Sequence, residues 1–236
     1  MRLVLCDENR ILCEALGAAM EARGHQVVAI TTTAAGGVVA VAEHQPDVVL
    51  LDLCFPDAAT SDGAAPGEAA PDRATDADGG AAAGIGAARA IRHEHPGTAV
   101  LVLSGPVDPA AWSAALEIGV AGLLRKDQCV GAIADALDVI AAGGVVCDQR
   151  LSRQASQRPA RRRRAGPVYV LTPREKEVLR RIVAGQSTGQ MADEMNITTS
   201  TLRTYVKNVL SKIGAHTRLQ AAALASHGEL QNELTA

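Results

Sequence analysis

The chain has 236 residues, enough for two ordinary domains, and is 47% hydrophobic but only 2% aromatic. This composition excludes a disordered polar chain, and the apolar runs fall well short of the roughly 20 residues that a membrane-spanning helix needs. The net charge of −3 is unevenly spread, since residues 1–149 carry −12, residues 150–168 carry +7 and residues 169–236 carry +2. An acidic part joined to a basic part favours a regulatory module tethered to a nucleic-acid-binding module.

The five cysteines are scattered through apolar segments and include no C-x-x-C pair. This usage is typical of reduced, buried thiols in a cytosol and argues against a disulfide framework. The first residues form a short apolar run that ends in acidic residues, unlike a signal peptide. We therefore expect a cytoplasmic protein with no membrane association.

Short apolar runs alternate with longer Ala-rich segments over the first 147 residues. The strand-sized runs are Leu3–Cys6, Val27–Ile30, Val48–Leu51, Ala99–Leu103 and Ala121–Leu124. The helix-sized segments between and after them lie near 9–23, 34–44, 84–95, 108–118 and 128–142. Five such units in succession predict an α/β domain at 1–147 with a doubly wound, five-stranded parallel sheet of flavodoxin-like type.

Two segments interrupt this pattern. Residues 57–83 are rich in Ala, Gly, Pro and Asp without periodicity, so we predict a disordered acidic insertion after the third strand. Residues 148–168 include the run Arg161–Arg164 and are interpreted as a flexible basic linker. Either segment can be a passive, solvated stretch. Alternatively, the linker contacts DNA phosphates and the insertion competes for a metal ion or screens the surface around the third strand.

A small all-α domain is predicted at 169–236. Thr172 and Glu175 have the spacing of a capping box before a first helix, and Ser187 and Gln190 repeat it before a second, at 189–195. A tight turn leads to a third helix, Thr199–Ile213, with an apolar stripe on one side and polar side chains on the other. Helix, tight turn and helix in this order predict a DNA-binding helix-turn-helix.

The segment from Leu171 to about Ser226 resembles the LuxR-type helix-turn-helix of NarL/FixJ regulators. Carried over by position, Arg203, Thr204 and Lys207 match base-reading positions. The positions that match phosphate-facing residues are Thr201, Lys212, Thr217 and Arg218. The closing helix resembles the dimerisation helix of the family. The resemblance implies a homodimer on double-stranded DNA, with half-sites about one DNA turn apart.

Acidic side chains follow the first and third predicted strands. Asp7 and Glu8 stand after the first and Asp52 after the third, and in a parallel sheet these ends meet at one edge. Converging carboxylates repel each other unless a cation joins them, and oxygen ligands favour Mg²⁺. Ser104 ends the fourth strand and Lys126 follows the fifth, where a hydroxyl and an amine can contact a phosphoryl group on Asp52.

These stretches resemble the receiver domain of two-component response regulators. The resemblance implies Asp52 as phosphoacceptor, Asp7 and Glu8 as metal carboxylates, and the Cys54 carbonyl as a further metal ligand. It also implies Ser104 and Lys126 as switch residues and a sensor histidine kinase as partner. One departure is the segment Gly122–Arg125, just before Lys126, where relatives place an aromatic residue and this chain has only Leu123 and Leu124.

We therefore expect a non-enzymatic transcriptional response regulator that phosphorylation of Asp52 activates. An alternative is a DNA-binding regulator whose receiver works independently of phosphorylation. A phosphatase with Asp52 as nucleophile is disfavoured, because Cys54 stands where such enzymes place a second aspartate.

Overall fold

The computed structural model describes residues 1–55, 77–105, 109–148 and 171–226. The first domain consists of β1 (Arg2–Cys6), α1 (Arg10–Ala22), β2 (Gln26–Thr31), α2 (Ala34–His44), β3 (Val48–Asp52), α3 (Ala77–Glu94), β4 (Ala99–Ser104), α4 (Pro109–Ile118), β5 (Gly122–Arg125), α5 (Val130–Ala141) and β6 (Val146–Cys147). The second consists of α6 (Pro173–Val183), α7 (Thr188–Glu194), α8 (Thr199–Ile213) and α9 (Arg218–Ala225). None of these helices is long and apolar enough to cross a bilayer.

The strands form one parallel sheet in the order β2-β1-β3-β4-β5-β6. The predicted fold class is confirmed, with one strand more than expected. That strand, β6, has only two residues, which pair with Gly122 and Leu123 of β5. The order reverses between β1 and β3, and this is where ligands collect in such sheets, beyond the carboxyl ends of the strands.

Alternate residues of the central strands pack on opposite faces of the sheet. On one face, Val49 and Leu51 of β3 join a core cluster with α2, α3 and α4. On the other, Val48 and Leu50 join a cluster with α1 and α5. Because both faces are covered, the strands are almost uniformly apolar, which is the pattern that the sequence shows.

Helix α3 begins earlier than predicted. It spans Ala77–Glu94, so residues 77–83, assigned from the sequence to a disordered insertion, belong to a helix, and Ala81 is buried in the core. Their Ala/Gly-rich composition lacks the periodic large apolar side chains that indicate a helix, and packing against the domain overrides that weak local signal. Residues 57–76 of the predicted insertion lie outside the described residues, as does the predicted linker beyond Asp148.

The second domain begins with the predicted caps. Both capping boxes are formed, by Thr172 with Glu175 and by Ser187 with Gln190. Asn196 has a φ of 53° in the tight turn between α7 and α8, a conformation that asparagine tolerates better than most residues. The apolar faces of the four helices enclose a separate core around Val178, Leu202 and Val209.

Candidate functional site

Two buried carboxylates and one lysine meet at the carboxyl ends of β1, β3 and β5. Asp7 and Asp52 are both 0% exposed. The Nζ atom of Lys126 lies 2.7 Å from Oδ2 of Asp52 and 2.8 Å from Oδ2 of Asp7. The fold thus brings together residues 7, 52 and 126, as the sequence predicts, and one cation bridges two carboxylates that would otherwise repel each other.

The pocket changes the ionisation of its members. Burial raises the pKa of Asp52, and the hydrogen bond from Lys126 offsets part of that rise. Burial alone would lower the pKa of Lys126, but its hydrogen bonds to Asp52 and Asp7 raise that pKa overall. Lys126 therefore stays charged, and it helps to keep Asp52 in the ionised form that a nucleophile requires.

Ser104 and Cys54 flank Asp52. The Ser104 hydroxyl is buried at the end of β4, close to the Cys54 thiol, and makes no hydrogen bond of normal geometry. One oxygen of Asp52, Oδ1, is also buried without a hydrogen-bond partner. A buried acceptor and a buried hydroxyl of this kind are places where a ligand can complete the bonding.

The donor set fits a magnesium ion in part. Asp7 and Asp52 supply two adjacent buried carboxylates, of the chemistry that Mg²⁺ prefers. Glu8, the third predicted carboxylate, is exposed. The described part of the chain contains no group of three or more Asp, Glu, His or Cys side chains arranged to hold a metal. Asp7, Glu8, Asp52 and the Cys54 carbonyl all stay predictions as magnesium ligands.

Three cysteines lie at or near this pocket, and all five are free. Burial raises the pKa of Cys6 to about 11 and that of Cys13 to about 12, which keeps both thiols protonated at neutral pH. Cys54 is half-buried, and burial also raises the pKa of its thiol. The expectation that all five are buried is wrong for Cys129, which is exposed.

The predicted DNA-reading residues lie on one exposed side of α8. Arg203, Thr204 and Lys207 are exposed, whereas Leu202 and Val209 on the opposite side are buried in the domain core. Thr201 is exposed at the start of the helix, and its hydroxyl is 2.9 Å from that of the N-cap residue Thr198. A helix of 15 residues that presents Arg and Lys in this way fits the width of a major groove.

Lys212 has a bonding partner within its own domain. Its Nζ atom lies 2.6 Å from Oε2 of Glu175, the buried acid of the first capping box. Burial alone would raise the pKa of Glu175, but Lys212 and Thr172 lower it overall. The ion pair between Lys212 and Glu175 links the end of α8 to the start of α6. A contact between Lys212 and a DNA phosphate stays a prediction.

Thr217 and Arg218, also predicted to face phosphates, contact the first domain instead. The Thr217 hydroxyl caps α9 and donates to the Leu116 carbonyl on α4 at 3.2 Å. The Arg218 guanidinium donates to the Gly143 carbonyl at 3.0 Å and also to the Gln186 carbonyl. Burial lowers the pKa of Arg218. In this arrangement, two residues predicted to contact DNA are hydrogen-bonded to the first domain instead.

Apolar packing continues the contact between the domains. Leu219 and Ala223 of α9 belong to the core cluster formed by α2, α3 and α4. A Cβ on Gly144 would lie 2.0 Å from the Gly185 carbonyl, so the two main chains approach very closely. The sequence did not reveal this interface, because it consists largely of main-chain carbonyls and small residues that carry no recognisable motif.

Comparisons with known proteins agree with this architecture. Residues 169–225 match the family model described as bacterial regulatory proteins, luxR family. The chain is 32% identical over 233 residues to the probable transcriptional regulatory protein NarL of Mycobacterium tuberculosis strain H37Rv, covering 98% of this chain and 95% of that protein. The transcriptional regulatory protein LiaR of Bacillus subtilis strain 168 is 27% identical over 237 residues, covering 98% of this chain and all of the relative.

The fold also matches a solved structure, the RcsB response regulator of Salmonella typhimurium. The TM-score is 0.52 at 20% identity, with 96% of this chain and 100% of that chain covered. At this identity the match supports the fold alone. The 32% identity over nearly the full length decides the family: the chain belongs to the luxR family of bacterial regulatory proteins, as a NarL-type response regulator.

Proposed function

We propose that the protein is a transcriptional regulator whose DNA binding is controlled by phosphorylation of Asp52. The observation that carries this proposal is the buried Asp7–Lys126–Asp52 arrangement at the strand ends of a domain that contacts a helix-turn-helix. NarL and LiaR are named as transcriptional regulatory proteins, which agrees with this role.

The phosphoryl donor is proposed to be a phosphohistidine of a partner kinase. A carboxylate oxygen of Asp52 forms a bond to phosphorus, while the bond from phosphorus to the histidine nitrogen breaks and leaves its electron pair on that nitrogen. Lys126 offsets the added negative charge, and the Ser104 hydroxyl donates to the new phosphoryl oxygen. Mg²⁺, when held by Asp7, Glu8, Asp52 and the Cys54 carbonyl, would supply further charge neutralisation.

One helix, α4, connects the site around Asp52 to the DNA-binding domain. Ser104 ends β4, and α4 is the next element in the chain. The Leu116 carbonyl on α4 accepts the hydrogen bond from Thr217. We propose that movement of Ser104 and Lys126 towards the phosphoryl group displaces α4, weakens this contact and frees Thr217 and Arg218 for DNA phosphates.

Labelling of the full-length chain with Mg²⁺ and a small phosphodonor tests the proposal. Wild-type protein should take up one phosphoryl group at Asp52, and Asp52→Asn should take up none. If no donor labels Asp52 above the level of the Asn variant, the proposal is wrong.

The alternative is a regulator that binds DNA irrespective of phosphorylation. The observation that favours it is the pair Leu123 and Leu124, both buried in β5, in the segment where relatives carry an aromatic residue that moves on activation. The two possibilities differ in one measurement, the affinity for DNA with and without phosphodonor. Phosphorylation control requires the affinity to rise with phosphodonor in wild-type protein and to stay constant in Asp52→Asn.

A further inference from the structure

Gly84 of helix α3 packs directly on the main chain that follows the proposed phosphoacceptor. A Cβ placed on Gly84 would lie 2.4 Å from the Leu53 carbonyl oxygen, 2.5 Å from the Leu53 Cα and 2.7 Å from the Asp52 carbonyl oxygen. All three are main-chain atoms, which cannot rotate away as the end of a long side chain can. Any side chain at position 84 therefore requires α3 or residues 52–53 to move.

The sheet does not pair with the main chain after Asp52, where Leu53 and Phe55 are held by their buried side chains. Pairing of β3 with β1 ends at Leu51, and pairing with β4 ends at Asp52. Leu53 and Cys54 follow beyond the end of the strand, with Leu53 fully buried. The α3 backbone at Gly84 packs on the main chain of this stretch, where the sheet stops.

Helix α3 lies far along the chain from the end of β3. After Phe55, the last described residue of this stretch, 21 residues precede Ala77, where α3 begins. Among the described residues, α3 is held against residues 52–54 by packing, through Ala88, Ile91 and the close approach at Gly84.

We propose that Gly84 is a positioning residue for phosphoryl transfer to Asp52. The missing side chain allows α3 to set the path of the main chain at Leu53 and Cys54. That path in turn places the Asp52 carboxylate and the Cys54 carbonyl, both of which are candidate magnesium ligands. The inference rests on the proposed role of Asp52 as phosphoacceptor, and it adds a residue outside the charged pocket to the machinery.

A matched pair of glycine variants in α3 separates positioning from simple helix stability. Gly84→Ala and Gly86→Ala make the same chemical change in the same helix, with the same gain in helix propensity. Gly86 is exposed, and a Cβ there would have no neighbour within 4 Å. Each full-length variant is labelled at Asp52 by a small acyl phosphate over a range of Mg²⁺ concentrations, and Mg²⁺ binding is measured separately by calorimetry.

We expect Gly84→Ala to weaken Mg²⁺ binding about tenfold, the usual scale for disturbing the shell that supports metal ligands, while Gly86→Ala matches wild-type protein. The Mg²⁺ concentration for half-maximal labelling should rise by the same factor. A loss of folded protein alone would lower the maximum labelling rate and leave this concentration unchanged. Equal Mg²⁺ affinity in the two variants would overturn the proposal.

Hydrogen exchange of the unmodified chain gives a test that needs no variant to fold. If α3 covers the main chain at Gly84, the amides of Leu53 and Cys54 should exchange as slowly as those of β3. Exchange as fast as in exposed segments would contradict the proposal. Exchange and calorimetry need no phosphoryl transfer. If wild-type protein is not labelled, the proposed function is wrong, but these two measurements still test the role of Gly84.

Discussion

Asp52 carries a charge in a place where water cannot reach it. Burial raises its pKa, so keeping it ionised at neutral pH opposes folding, although Lys126 offsets part of this effect. We expect Asp52→Asn, which is similar in shape and uncharged, to unfold at a higher urea concentration at neutral pH. The gain arises because the amide removes the cost of keeping a charge buried.

The pH dependence of this effect has a definite sign. Because the folded-state pKa of Asp52 is raised, the opposition to folding develops as the pH rises through that value and is absent in acid, where Asp52 is protonated in both states. The advantage of Asp52→Asn should therefore disappear in acid. Asp193→Asn, at an exposed position, serves as the control. A variant less stable than wild-type protein at neutral pH would mean that the ion pair with Lys126 outweighs burial.

The charge of Glu175 favours folding, whereas that of Asp52 opposes it. Despite its burial, Lys212 and the Thr172 cap lower its pKa overall, so its charge stabilises the second domain. Glu175→Gln keeps the capping box, as Gln190 does in the second one, but loses the charge that pairs with Lys212, so it should lower the free energy of unfolding of this domain by about 1 kcal/mol at neutral pH. Because the pKa is lowered, this stabilisation is lost only in acid, where Glu175 becomes protonated. The free energies of unfolding of the variant and wild-type protein should therefore converge there. Urea unfolding of the domain checks both expectations, and a difference that persists in acid would contradict them.

At the scale of elements, helix α8 has one polar side that faces solvent. Arg203→Ala should lower the affinity for a DNA site selected from random duplexes by about 1–3 kcal/mol and relax base preference at one position. Arg174→Ala, which removes an exposed arginine from α6, controls for the loss of positive charge. Equal losses in the two variants would mean that Arg203 contributes charge without reading bases.

The same elements show what a sequence pattern can reveal. Five strands and the helix-turn-helix were predictable because buried strands are uniformly apolar and capped helices begin with specific residues such as Thr172 and Ser187. The first turns of α3 were missed because Ala and Gly carry little periodic signal. Strand β6 was missed because two residues, Val146 and Cys147, are too short to form a pattern, and it exists only through pairing with β5.

The charged pocket was predictable because residues at the ends of parallel strands must meet. The contacts of Thr217 and Arg218 with the first domain were not predictable from the sequence. Their bonds to the Leu116 and Gly143 carbonyls depend on how two domains pack, and any residue has a main-chain carbonyl to offer. Gly84 was equally hidden, because a glycine in an Ala-rich segment carries no indication of what its main chain touches.

At the scale of the whole molecule, a substitution in the first domain should weaken the contact between the two domains. Gly144→Ala places a methyl group 2.0 Å from the Gly185 carbonyl and 2.8 Å from the Val139 carbonyl of α5, so we expect the second domain to move away and the end of α5 to adjust. X-ray scattering should show a larger radius of gyration, and DNA affinity should rise because Thr217 and Arg218 become available. Gly131→Ala, in α5 with its nearest neighbour at 4.0 Å, is the control. Unchanged scattering would show that the domains do not pack in this way in solution.

The basic linker is a second feature of the whole chain. Residues 169–236 carry a net charge of only +2, so Arg161–Arg164 are candidates for additional phosphate contacts. Replacing these four arginines by serine should reduce the dependence of log affinity on log salt by roughly 0.9 for each DNA phosphate that is no longer neutralised. Replacement by lysine keeps the charge and should preserve the slope. An unchanged slope in the serine variant would identify the linker as a tether only.

Strand β6 has a consequence for how the protein avoids association with other chains. In a five-stranded sheet, β5 would present unpaired amides and carbonyls along an outer edge, and such an edge can recruit a strand from another molecule. Val146 donates to the Ala121 carbonyl at 3.0 Å and Asp148 to the Leu123 carbonyl at 3.0 Å, so part of that edge is already bonded. Two residues of main chain thus protect the sheet from intermolecular strand addition at this side, and a truncation before Val146 should make the receiver domain aggregate more readily.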